Sequence, residues 1–425
     1  MQDHPVLGHV ALGYSPMIDR QRAVIATRLT VFPERPDATP DAAALLRALD
    51  EVWRPAEGSA GSGARLTLEL RPLNPGAAAA RPVGLRPPLS LNVAGEAMLH
   101  AVMAAGPGPH LMLEVPAFMA ADPLHAAVLR ELHAAGTPLM LKGRPSAPLA
   151  PDLLAGFGHA LIEAGDEHRT GAAPAPGLRQ VTTVQDGVRT TAELEGAFQR
   201  GAVAVLGWPF DDPLPPAASR RSVPTDMQVV MELVAAVDRE EPVAKLEAIL
   251  KRDPTLAFRL MRYLNSAAFG LSVEINSFGH ALMLLGYVRL KRWLALLLAS
   301  SSKDASAKPL LFAAVRRGLL LEELVRSQGD AELRSEIFIC GVFSLLDRLL
   351  RQPFSELLAN VPVPARVQQA LRHEDGPFHP YLELVRAIEA CAVFDIRECS
   401  ERLLLGPAEV NRALLSALRA ARQLD

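Results

Sequence analysis

Aromatic side chains are scarce: only 5% of the 425 residues are Phe, Trp or Tyr. That removes most stacking platforms for single-stranded nucleic acid. An excess of charge is lacking too, and a net charge of −3 gives no general pull toward nucleic acid or an anionic membrane. No apolar run reaches the ~18 residues of a spanning helix. The opening MQDHPVLGHV has neither the basic nor the apolar region of a secretory signal. The expected location is therefore cytoplasmic, with no membrane and no nucleic-acid partner. The three cysteines, Cys340, Cys391 and Cys399, have no CxxC spacing and leave one unmatched. They read as buried thiols of a reducing compartment. Phosphate loops of the GxxxxGK(S/T) or GxGxxG kind are absent.

What is present is an apolar fraction of 49% in a chain too long for one ordinary core, which predicts two domains. The first, residues 1–210, reads as strands alternating with helices. VALGYSPMID and AVIATRLTVF flank a hairpin turn at Asp19–Arg22. LSLNV, HLMLEVP, TPLMLKG, RQVTTVQ and AVAVLGW have strand length, and DAAALLRALDEVW, PLHAAVLRELHAAG and TTAELEGAFQRG have helical patterns. Repeated strand–helix units imply a parallel sheet with covered faces, either a barrel or an open sheet. Residues 211–224, DDPLPPAASRRSVP, carry proline and small polar residues without periodicity, as a linker does. Residues 225–425 read as all-α. Helices are expected at Leu310–Ser327, Ser335–Arg351, Pro364–His373, Pro380–Phe394 and Pro407–Arg422.

The helical half is organised around DPTLAFRLMRYLNSAAFG. Asp253 caps a helix that Pro254 begins, and Leu256, Leu260 and Leu264 line one face. Asn265-Ser266 breaks the pattern and Gly270 ends it; a second helix, from Ser277, ends at Gly286. With INSFGHALMLLG following, this order resembles the HDOD family, helical output modules of bacterial signalling proteins. That family is related to the HD phosphohydrolases, whose metals sit on a His, a His-Asp pair and a further Asp. Here the pair falls on Ser344-Leu345, and LFAAVRRGLLLEEL has no histidine. A hydroxyl and an isobutyl group cannot replace imidazole and carboxylate. The cluster His373, Glu374, Asp375 and His379 has no metal-family spacing and reads as a solvated loop.

The N-terminal half resembles the EAL family, barrel enzymes that hydrolyse cyclic di-GMP with two divalent metals. LSLNV, LMLEVP, PLMLKG, VQDGVRT and AVLGWPFDDP follow the order of its motifs. The resemblance implies ligands at Asn92, Glu114 and Asp186, which this sequence retains. It also implies acidic residues where Arg28, Lys142 and Arg189 stand. A divalent ion and a guanidinium ~4 Å apart repel by about 8 kcal/mol at an effective dielectric of ~20. Three cations at acidic positions therefore point away from metal binding, and Glu114 is expected to pair with one of them.

The expected protein is thus multidomain, a (β/α)-barrel-like α/β domain followed by an all-α domain, with no cofactor and no metal. The resemblance implies a non-enzymatic role in cyclic di-GMP signalling through contacts with other signalling proteins. The alternative is a receptor that binds cyclic di-GMP without cutting it, since Arg forks match phosphate oxygens. A metal-dependent phosphodiesterase ranks last. Oligomeric state is not readable from the sequence.

Overall fold

The computed structural model describes residues 4–35, 38–53, 89–146, 148–163, 181–215, 225–250, 252, 286–287, 290–291, 294–295, 307–327, 330–360 and 363–422. A hairpin opens the chain. Strands β1 (Val10–Asp19) and β2 (Val24–Pro33) run antiparallel, Met17 opposite Ala26. Its turn is held by Asp19, whose carboxylate accepts the backbone N–H groups of Gln21 and Ala23 at 2.9 Å each. Arg22 there takes the left-handed conformation, φ 62°.

Strands β3 (Leu89–Val93), β4 (Leu111–Pro116), β5 (Leu139–Lys142), β6 (Phe157–Glu163), β7 (Thr182–Asp186) and β8 (Ala204–Leu206) follow. Neighbours from β2 to β8 are parallel, and β8 pairs back onto β1 antiparallel, so the sheet closes. Of the two architectures open to repeated strand–helix units, the barrel is the one formed. β6 was not among the expected strands. Its FGHALIE carries Gly158 and His159 in the run, and pairing decides it: His159 lies opposite Met140 and Leu161 opposite Val184.

Helices α1 (Ala42–Trp53), α2 (Glu96–Ala105), α3 (Ala117–Ala121), α4 (Pro123–Ala134), α5 (Pro151–Gly156) and α6 (Thr191–Gln199) accompany the strands. The start of α4 is set by Asp122 ahead of Pro123, and that of α6 by a reciprocal bond pair between Thr190 and Glu193. Inside the barrel, Met17, Ala26, Met112, Met140, Leu161, Val184, Ala204 and Leu206 form one buried apolar layer. Side chains alternate in and out along each strand, so the residues two positions further on stand above this layer.

From Thr225 the described residues form helices and no strand. They are α7 (Thr225–Asp238), α8 (Val243–Leu250), α9 (Ala307–Leu324), α10 (Ala331–Phe343), α11 (Leu346–Leu350), α12 (Phe354–Asn360), α13 (Ala365–Gln368), α14 (His379–Glu389), α15 (Val393–Arg402) and α16 (Pro407–Arg422). Three expected helices need correction. Ser335–Arg351 is broken at Ser344, whose hydroxyl bonds the Gly341 carbonyl at 2.7 Å and competes with the helical ladder. Pro364–His373 continues past α13 as a π-helical turn, Gln369–His373. Pro380–Phe394 stops at Glu389, because Cys391 turns left-handed at φ 53°. Among the described residues no helix is long and apolar enough to cross a membrane.

Helices α9 and α10 meet at two glycines. A Cβ on Gly341 would lie 2.6 Å from the Gly318 Cα, against backbone that cannot swing aside. Overpacking of this kind costs about 1–3 kcal/mol, and alanine returns about 1 kcal/mol of helix propensity. The close approach to backbone puts the cost at the upper end, so Gly341→Ala is expected to destabilise the helical unit by about 2 kcal/mol. Urea unfolding of the full chain followed by far-UV dichroism checks this, and an unchanged midpoint would mean that the helices part freely.

The described residues fall into two compact units. One takes those within Met1–Arg54, Ala78–Asp212 and Arg386–Leu415; the other takes those within Pro213–Val385 and Ser416–Asp425. A helical domain of 225–425 therefore differs from the fold at its C-terminal end. Arg386–Leu415 packs with the barrel, for reasons given below. Of the expected linker 211–224, residues 216–224 lie outside the described residues, as do Asp253, Pro254, Asn265, Ser266 and Gly270 of the helical signature. Gly286 is described and half-buried, and its φ of 72° is one that glycine adopts without strain.

Candidate functional site

The carboxyl ends of the barrel strands carry the polar residues. In closed barrels of this build the reactive groups gather at that face. Above the apolar layer, β2 presents Arg28 and Thr30, β3 Ser90 and Asn92, β4 Glu114, β5 Lys142 and β7 Asp186. At the centre is a fork. Arg28 Nε donates to Glu114 Oε1 at 2.8 Å and Nη2 donates to Oε2 at 2.6 Å. Its third nitrogen, Nη1, donates to Asp186 Oδ2 at 2.9 Å. Ser90 Oγ donates to Glu114 Oε1 at 2.9 Å.

Bidentate geometry and burial make this a strong pair. Arg28 is 8% exposed and Glu114 1%. Burial by itself disfavours the arginine charge. Attraction to Glu114 and Asp186, with the hydrogen bond to Glu114, outweighs it and holds the guanidinium above an ordinary arginine. Neither Glu114 oxygen can turn to a cation without leaving Arg28.

Lys142 and Asn92 form a second, half-buried pair. Lys142 Nζ donates to Asn92 Oδ1 at 3.0 Å, and Asn92 Nδ2 donates to Thr30 Oγ1 at 3.3 Å. Arg189, singled out with Arg28 and Lys142, is not brought into the group. It is exposed and bonds Asp211 Oδ2 at 2.7 Å. Among the described residues no three His, Cys, Asp or Glu side chains gather as metal ligands. The sequence reading missed Ser90 and Thr30, although each lies two residues from a chosen position and so on the same strand face.

The mouth has a further wall, from the far end of the chain. Asn411, on α16 and 2% exposed, accepts the Leu12 N–H at 3.1 Å. Its amide nitrogen donates to the carbonyls of Leu7 and Val10 at 2.7 Å each. Trp208 Nε1 donates to the Glu389 carbonyl at 2.9 Å, and Tyr14 OH donates to the Glu389 carboxylate at 3.4 Å. The Tyr14 and Trp208 rings meet edge to face, their centres 5.4 Å apart. Cys391 lies against Gly13, the cross-strand partner of Thr30. Burial pushes its thiol pKa up, Thr30 and Arg28 pull it down, and Asp186 and Glu114 push it up again.

In the helical unit, Ser344 accepts a hydrogen bond from the buried Arg317 Nη1 at 3.0 Å. His373, Glu374 and Asp375 are exposed, and His379 stands 3.6 Å from Glu383, one helical turn on.

Residues 223–356 match the HDOD domain. The chain carries an HDOD domain. Its match spans α7 to α11 and ends inside α12, before the residues that wall the barrel mouth. Over 221 residues the chain is 30% identical to the uncharacterized protein YuxH of Bacillus subtilis, covering 50% of this chain and 53% of that one. Over 239 residues it is 26% identical to the cyclic di-GMP phosphodiesterase CdgJ of Vibrio cholerae, covering 56% and 55%. The chain thus spans about half the length of the curated relatives it matches. A solved structure titled PaMucR phosphodiesterase, c-di-GMP complex, covers 49% of this chain and 93% of its own at 16% identity, with a TM-score of 0.31.

Proposed function

We propose that this chain is a signalling protein of EAL–HDOD type, with a degenerate EAL barrel that does not hydrolyse cyclic di-GMP. It acts through contacts with other signalling proteins and needs no cofactor. One observation carries the reading: the Arg28 fork takes both oxygens of Glu114 and one of Asp186. A divalent pair needs such carboxylates as ligands. Here a fixed cation already uses them, and a metal would have to break a buried ion pair and then sit beside a guanidinium. The expected result is that the purified full chain with Mg²⁺ or Mn²⁺ yields no linear dinucleotide above a no-protein control. Linear product that disappears in Glu114→Gln would overturn the reading.

A second reading, a receptor that binds cyclic di-GMP without cutting it, is favoured by Lys142. Its ammonium bonds the neutral Asn92 amide, and no ion pair is made by it among the described residues. A half-buried cation answered only by an amide suits a phosphate oxygen.

A further inference from the structure

The mouth of the barrel is closed on one side by the chain itself. Strand β1 pairs with β8 only over Met17–Asp19, which leaves its upper edge, from Gly13 back to Val10, without a strand partner on that side. Arg386–Leu415 fills the place. Asn411 satisfies three backbone groups of this edge and its approach, and Glu389 is held by Trp208 and Tyr14. At the β2 end, Arg397 Nη2 donates to the Glu34 carbonyl at 2.7 Å.

Between these anchors the Ile388–Cys391 turn reaches over Gly13. A Cβ built there would stand 2.7 Å from Cys391 Sγ and 2.9 Å from the Ile388 carbonyl oxygen. Only glycine lets the turn come so low. The turn itself is shaped for the position, since Cys391 adopts φ 53°, a left-handed conformation that costs a non-glycine residue about 1 kcal/mol or more. Its thiol then lies against Gly13, the cross-strand partner of Thr30, which stands two residues along the same strand face from Arg28. Lys142 and Asn92, across the mouth, remain half-exposed while Arg28 and Glu114 are closed off.

We propose that Arg386–Leu415 is a built-in stopper, and that a phosphate-bearing ligand such as a cyclic dinucleotide settles at Arg28 and Lys142 only by displacing the Ile388–Cys391 turn. This deepens the second reading above and rests on it, since it needs a ligand at the mouth. Ligand and stopper compete, so each lowers the other's affinity by the same factor. The displacement is also placed to be felt elsewhere in the chain. Arg386 continues directly from Val385 of the helical unit, and Leu415 leads directly into its Ser416.

The test locks and loosens the stopper in the full chain. Thr30→Cys places a second thiol against Cys391, and mild oxidation with glutathione disulfide joins the two with a mass loss of two hydrogens. Titration calorimetry with cyclic di-GMP then compares the oxidised and reduced forms. The reduced form is expected to bind at least tenfold more tightly than the oxidised one, and Asn411→Ala more tightly than wild type. Equal affinity in the oxidised and reduced forms overturns the stopper, as does no binding in any form. Folded Thr30→Cys that fails to crosslink overturns the packing on which it rests. If Asn411→Ala fails to fold, the Thr30→Cys comparison decides alone. Hydrolysis of the dinucleotide would instead overturn the non-enzymatic reading and leave the stopper standing.

Discussion

Glu114→Ala is expected to destabilise the barrel unit by about 3–5 kcal/mol. The loss comes from what is left behind. Arg28, with 9% of its side chain exposed, would keep one partner, Asp186, and lose the bidentate one. Asp186 is 18% exposed and can draw some water toward the vacated place, so the lower end of the range is expected. Glu114→Gln keeps the shape and one acceptor but not the charge, and should fall between alanine and wild type. Removing both charges is the control: Arg28→Met with Glu114→Met should return close to wild-type stability, because a buried ion pair is often matched by apolar packing. Tryptophan fluorescence during urea unfolding reads this out. A Trp293→Phe background leaves Trp53 and Trp208, both in the barrel unit, as reporters. If Glu114→Ala unfolds with wild type, the fork is not a structural pair, and the carboxylate is there for something it binds.

Asn411→Ala is expected to cost about 3 kcal/mol in the same assay, since a buried polar group left without its partner costs about 1–3 kcal/mol. Three groups are exposed to that penalty: the Leu12 N–H and the carbonyls of Leu7 and Val10. They do not add in full, because carbonyls keep a second lone pair and local water can reach a loosened edge. Asn411→Asp tests the direction of the bonds. Its carboxylate can still accept from Leu12, but it turns an oxygen toward two carbonyl oxygens, and it should be at least as damaging as alanine. A loss within about 0.5 kcal/mol, as at an ordinary surface position, would mean that α16 merely rests against the barrel. It would also remove the main anchor of the proposed stopper.

The pairing of Glu114 with a cation was legible in the sequence. Period-two alternation along LSLNV, LMLEVP and AVIATRLTVF puts Arg28, Asn92 and Glu114 on inward faces, and opposite charges on one small interior must pair. The same reasoning could not separate Arg28 from Arg189. Both are arginines in the barrel unit, yet Arg28 lies on a strand and points in, while Arg189 follows β7 in a loop and bonds Asp211. Loop direction has no periodicity to read.

By itself, then, the sequence determined the alternation of strand and helix, the polar positions Arg28, Asn92, Glu114, Lys142 and Asp186, and, among the described residues, the helical character from Thr225 onward. Each follows from patterns within a dozen residues, where propensity, capping and alternation act. Closure of the sheet, the strand character of FGHALIE and the wall built by Glu389, Cys391 and Asn411 were decided only in three dimensions. The bonds Leu12–Asn411 and Tyr14–Glu389 join residues 399 and 375 positions apart. No local pattern marks such partners. Asn411 reads as one polar residue on an amphipathic helix, and Gly13 as an interruption in a strand. The chain must leave the barrel after Asp212 and return at Arg386 before either has a reason to be what it is.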